Sequence, residues 1–276
     1  MTTTLETTPA RLIDGYQHGD FAVKSMIVVL ASVALYNALE LLILLWTEFK
    51  HYNSVYFWAM LLSGALGVAP ASIGTLMDIS GTKPVWPILL LFTIGFYFMV
   101  PGQSVVLYSR LHLVLHNDLV LRCFRYFIII GTALQLIPVT VLYFCAVYLQ
   151  GPWNRAYTIN QRQQVTWFCA QECVISVVFI IQTAKLIKKS PLLNKRRDII
   201  LYQLVAVNLV VIMMDAALLL LEYLGLSFLQ VTLKPTIYSI KLKLEFFVLG
   251  RLTTAVRTCG SQSTCNGSVE LVGFIN

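Results

Sequence analysis

The chain has 276 residues, 58% of them hydrophobic and only 12% charged, with a net charge of +7 and a mean hydropathy of +0.75. An ordinary soluble domain carries about a quarter charged residues, and a core of this length cannot absorb so much apolar surface. The composition therefore excludes a soluble enzyme and points to a polytopic membrane protein; the basic residues sit mainly in short loops, where they set topology and meet lipid headgroups, not nucleic acid.

Met1 to Asp20 is polar, with Glu6, Arg11, Asp14 and Asp20, and lacks the apolar core and small-residue cleavage site of a signal peptide. The first span is expected to act as its own uncleaved signal. A helix needs about 20 apolar residues to cross the hydrocarbon layer. Seven runs are expected to do so: Met26–Trp46, Tyr56–Leu76, Trp86–Tyr108, Tyr126–Tyr148, Val165–Ile187, Ile199–Leu221 and Thr236–Leu252. The last is the shortest and the most polar. The fold class is thus an all-α bundle of seven transmembrane helices over residues 26–252, between a polar tail (1–25) and a second tail (253–276). Trp46, Trp86 and several terminal tyrosines suit the interfacial aromatic belt.

Lys and Arg are distributed unequally about these runs. Twelve lie on the side of the connections after spans 1, 3 and 5 and of the final tail, against six on the other. The richer side is expected to face the cytosol, which leaves the N-terminus outside or lumenal and the C-terminus cytosolic. The membrane could be the endoplasmic reticulum or the plasma membrane. Cys169 and Cys173 share a helix face and are expected to pack instead of bridging. Cys259 and Cys265 in the tail are candidates for palmitoylation. The sequon at Asn266 is expected to be unused on the cytosolic side.

Ionisable groups inside the spans are functional candidates, because lipid penalises them. Asn208, Asp215 and Glu222 are spaced by seven and form one stripe of span 6; Gln171 and Glu172 lie in span 5. Lys241, Lys243 and Glu245 lie in span 7, Asn37 and Glu40 in span 1, and Gln103 follows Pro101-Gly102, a pair expected to kink span 3. These positions imply a polar pocket between spans 5, 6 and 7, open outward. Lys241 and Glu245 are four apart and are expected to pair. Lys243 lies on another face and is assigned Asp215 or Glu172. Glu222 is expected to be reached by water.

The stretches "YNALELLILLWTEFKHYNSVYFWAMLLSGALG" from Tyr36, "MVPGQSVVLYSRLHL" from Met99, "WFCAQECVISVVFI" from Trp167, "LLLLEYLG" from Leu218 and "YSIKLKLEFFVLGRL" from Tyr238 resemble a family of fungal seven-helix integral membrane proteins, largely known as a domain of unknown function. The likeness covers roughly Val23 to Leu252. It implies seven spans and a filamentous-fungal source, but no function. In size and span count the chain is also similar to the membrane-bound cyclases of fungal meroterpenoid pathways and to receptor-like seven-helix proteins.

Two functions follow as expectations. The first is a terpene cyclase of secondary metabolism, an isomerase that opens a lipophilic prenylated epoxide by acid. Asp215 and Glu172 would be its buried acids, Glu40 a remote acid or terminating base, and the rings of Phe92, Phe96, Tyr97 and Phe98 would steady cations. Lys241, Lys243, Glu245, Asn208 and Gln103 would line the substrate site. No metal or other cofactor is expected. The second is a non-enzymatic receptor for a small ligand, with Arg110 as a basic residue at the inner end of span 3 and a cytosolic partner at the Lys185–Arg197 loop. A retinal protein is disfavoured because span 3 has no Asp or Glu as counter-ion, and a transporter because no inverted repeat is visible.

Overall fold

The computed structural model describes residues 21–48, 55–81, 86–114, 118–149, 152–189, 195–225 and 227–260, and these are helical apart from short turns. Lipid offers the backbone no hydrogen bonds, so an apolar run satisfies its own N–H and C=O groups as helix. The helices are α1 (Phe21–Glu48), α2 (Val55–Ile79), α3 (Trp86–Val114), α4 (Asp118–Leu149), α5 (Pro152–Lys189), α6 (Lys195–Tyr223) and α7 (Ser227–Gly260). Each contains one of the seven apolar runs. The first six are long and apolar enough to cross a membrane. α7 falls outside that set because Lys234, Lys241, Lys243 and Glu245 interrupt it. It also begins at Ser227, well before the expected Thr236, and this extension proves to matter.

Short connections make successive helices antiparallel, so α1, α3, α5 and α7 all begin at one face, called here the N face. Sequence neighbours pack side by side, and α7 returns against α1 to close a ring. α3 also touches α5 and α7, and α7 also touches α2, so these two helices reach furthest across the ring. Two apolar clusters fill the interior. One joins Ala38, Leu41, Met60, Val100, Phe168 and Leu242; the other joins Leu107, Leu111, Ile175, Phe179, Leu204 and Val248. On the outside, α4 presents Ile129, Ile130, Leu134, Ile137 and Val141, an exposed apolar face suited to acyl chains. Gly225 closes α6 at φ +75°, a left-handed position that glycine takes without steric cost, and lets the chain turn directly into α7.

α3 is helical through Pro101, and α2 carries an irregular segment of its own, Ser63–Val68, which is a π-helix. The two helices approach closely there. Ser63 Oγ donates to the Met99 carbonyl at 3.3 Å. A Cβ at Gly67 would sit 2.7 Å from the Met99 backbone nitrogen, and one at Gly102 would sit 2.7 Å from Ser63 Cβ. Backbone cannot yield as a side chain does. Gly67→Ala should therefore destabilise the purified protein by about 1–3 kcal/mol through overpacking, measured as a lowered midpoint of denaturation in mixed micelles.

Candidate functional site

The charged residues of the spans do not share one hollow. Among the described residues, α7 anchors three separate bridges, and a further ion pair joins Arg162 of α5 to Glu222 of α6. The central one lies nearest the N face. Lys241 is fully buried, and its Nζ donates to Glu172 Oε2 of α5 at 3.0 Å and to Asp215 Oδ1 of α6. Tyr238, one turn earlier on α7, donates its hydroxyl to the other Glu172 oxygen at 3.2 Å, and its ring lies 4.7 Å from Lys241 Nζ. Glu172 is thus satisfied at both oxygens, whereas Asp215 Oδ2 has no hydrogen-bond partner.

The second bridge lies one turn further along α7. Glu245 Oε1 stands 3.0 Å from Arg110 Nη1 of α3 and accepts a long hydrogen bond of 3.5 Å from Gln103 Nε2. The Arg110–Glu245 contact is ionic but out of line for a hydrogen bond, and Arg110 Nη2 and Glu245 Oε2 have no hydrogen-bond partner. The guanidinium rests over the Phe179 ring at 5.3 Å. Asn208 lies beside this bridge in a cleft with Arg110, Ser176 and Phe179 that is too tight for a water molecule; its amide nitrogen donates to the Leu204 carbonyl at 3.4 Å. The third bridge faces the other way. Lys243 Nζ contacts Glu40 Oε2 and donates to Asn37 Oδ1 of α1 at 2.8 Å, and Asn37 in turn donates to Ser239 Oγ at 3.3 Å.

Several expectations are corrected by this geometry. Lys241 and Glu245 do not pair: at Lys241 the neighbouring helices present two carboxylates, and at Glu245 they present a guanidinium. Lys243 meets neither Asp215 nor Glu172, because about 160° of helix rotation aims it at α1. Glu40 and Lys243 therefore leave the candidate centre, as do Glu245, Gln103 and Asn208, which belong to the second bridge. Glu222 is buried and sits 3.8 Å from Arg162, not in water. Of the span 3 rings, Phe96 alone lies against a cation named here, with Lys234 Nζ 4.6 Å from its centroid; Tyr97 and Phe98 are exposed. Cys169 and Cys173 are free thiols, as the packing expectation requires. The loop at 190–194, Cys265 and Asn266 lie outside the described residues, and the Cys259 side chain outside the described side chains.

What remains together is Glu172, Asp215 and Lys241, beside a void of about 20 Å³ lined by Asp215, Cys169, Gln230, Lys234, Tyr238 and apolar side chains of α3, α5 and α6. This holds about one water molecule. Gln230 is fully buried on its wall, and neither of its amide atoms has a hydrogen-bond partner. Gln230 and Lys234 lie before the apolar run that begins at Thr236, and Tyr238 lies within it but is not ionised, so none of the three is among the expected site residues. A signal was present: Gln230, Lys234, Tyr238, Lys241 and Glu245 recur at intervals of four, four, three and four, one polar stripe on a 3.6-residue helix. Among the described residues no three His, Cys, Asp or Glu side chains gather as a metal site would require.

The arrangement defines an all-helical, multi-pass membrane protein whose seventh helix is tied to its neighbours by buried ion pairs. The chain belongs to the family described as "Domain of unknown function (DUF7703)", whose model matches residues 20–269. Among curated proteins and among solved structures, none matches the chain.

Proposed function

We propose that the chain is a receptor-like seven-helix membrane protein of fungal type, non-enzymatic, in which α7 is the moving element. A ligand places a small polar group, such as a hydroxyl or an amide, in the void beside Asp215 and draws Lys241 off its carboxylates. The observation that carries this reading is the wall of that void. Gln230 offers a free donor and a free acceptor, and Asp215 a free acceptor, directly beside the Lys241 bridge. Buried polar atoms without partners are costly, so a group that satisfies them gains strongly. Buried ion pairs stabilise a fold weakly and are best attested as devices of register and switching. The charge bias of the connections supports an N face that is outside or lumenal, so the ligand arrives from there and the Lys185–Arg197 side meets a cytosolic partner.

The test uses Cys169, which lines the void, in the full chain with its other cysteines replaced by serine or alanine. Asp215→Asn, which loosens the bridge, should raise the rate of Cys169 modification by a membrane-impermeant thiol reagent at least tenfold over the otherwise unchanged chain. Equal rates would show that the bridge does not govern access, and the reading would fail.

A second reading, the terpene cyclase, is favoured by one observation: Asp215 Oδ2 is an unpartnered carboxyl oxygen at the edge of a void whose wall is partly apolar. Such a group could protonate an epoxide. A cyclase must enclose the whole reacting chain, however, and pockets that take whole small molecules measure about 300–1,000 Å³. The helices would have to part considerably. Microsomes carrying the protein, given a farnesylated epoxide, would on this reading form cyclised product that Asp215→Ala and Glu172→Ala abolish; no product from the unaltered protein would dismiss it.

A further inference from the structure

The bridge between Lys243 and Glu40 differs from the other two in being open to the outside. Their side chains are 25% and 41% exposed, and the α1 residues around them, Tyr36, Leu39 and Ile43, are among the most exposed apolar groups of the chain. The pair is also deep. Trp46, exposed near the end of α1, marks the expected interfacial level, and Glu40 lies six residues before it, about 9 Å further into the hydrocarbon layer. Snorkelling does not explain it. Lys243 is held sideways by Glu40 and by Asn37, which lies one turn deeper, and its ammonium stacks 5.4 Å from the Tyr36 ring. Charged side chains inside a membrane normally face the bundle interior or a cavity, so a half-open ion pair on the lipid side needs a cover.

We propose that a second copy of the chain covers it, across the groove between α1 and α7. The charges themselves select this occupant. A two-fold axis over the groove brings the same patch against itself, so Glu40 of one copy faces the partner's Lys243 and the reverse. Four charges then alternate in sign, and both ion pairs are removed from acyl chains. A lipid headgroup would have to leave the interface to reach this depth, and a one-sign partner would match only half the patch. The exposed rings and aliphatic chains of Tyr36, Leu39 and Ile43 supply the apolar surround.

Single-molecule photobleaching of the full-length protein in liposomes, at a fixed low protein-to-lipid ratio, tests this. The unaltered chain should bleach mostly in two steps, in zwitterionic bilayers as in bilayers with anionic lipid. Glu40→Lys makes the patch wholly positive and Lys243→Glu makes it wholly negative, so each variant alone should fall to mostly single-step bleaching. Mixed in two colours, the two should co-localise at the frequency of the unaltered dimer. Ile43→Trp, which touches no charge, should lower the two-step fraction at least threefold with an unchanged melting temperature, and so reports on the surface even where a charge variant fails to fold. Single-step bleaching of the unaltered protein in both bilayers would overturn the proposal. So would two-step bleaching confined to anionic bilayers, or a mixture that pairs no better than either variant alone with Ile43→Trp also pairing normally.

Discussion

Lys241→Met should destabilise the protein in mixed micelles by about 3–5 kcal/mol. Met fills nearly the same volume and packs well in apolar surroundings, so the loss is not one of shape. It arises because Glu172 and Asp215 are left facing each other, both almost completely buried, with only the Tyr238 hydroxyl donating to one of them. Removing the shared cation leaves like charges without compensation. Lys243→Met makes the internal control. It removes an ammonium from the same helix, two residues away, but from a pair that is partly exposed. Its cost in monomeric protein should stay near the range measured for polar contacts between membrane helices, about 0.5–2 kcal/mol. Equal losses in the two variants would mean that burial of the central triad is not what makes it costly to break.

Arg110→Met should destabilise by a similar amount, about 3–5 kcal/mol. Glu245 is fully buried and would retain only the long contact from Gln103. Glu245→Gln should cost less, about 1–3 kcal/mol. It leaves Arg110 without its carboxylate, but the amide keeps an acceptor for the guanidinium, and the cation still rests on Phe179. The order matters more than the sizes. If Glu245→Gln proves the more damaging, it is Glu245 that finds compensation elsewhere once its partner is lost, and Arg110 that does not.

The seven helices were legible because lipid imposes a length and a composition that few other environments require. Their ends were not: α5 and α7 run well past the apolar runs, since amphipathic turns at an interface carry too little hydropathy to register. The candidate site was legible in part. Glu172, Asp215 and Lys241 were picked out by their cost in lipid and do meet. Their grouping with Lys243, Glu40 and Glu245 failed for one reason. Spacing along a helix tells which residues share a face, but not which neighbour that face meets. Lys241 and Glu245 share a face of α7, yet that face passes α5 and α6 at one level and α3 at the next. Arg110 illustrates the same limit. Near the end of an apolar run it reads as a topology residue, and its burial against Glu245 depends on α3 packing against α7 across the ring, which no periodicity in α3 records.

The claim on which the rest depends is that the charges of α7 are interhelical ties, and the coupling within the central tie tests it most directly. Stability should be measured for Lys241→Met, for the pair Glu172→Gln with Asp215→Asn, and for all three together, by reversible denaturation in the same mixed micelles. The account predicts strong non-additivity: the triple variant, with no buried charge left uncompensated, should recover at least about 2 kcal/mol relative to the sum of its parts. Losses that simply add would contradict it, since Lys241 would then be buried for reasons unconnected with Glu172 and Asp215.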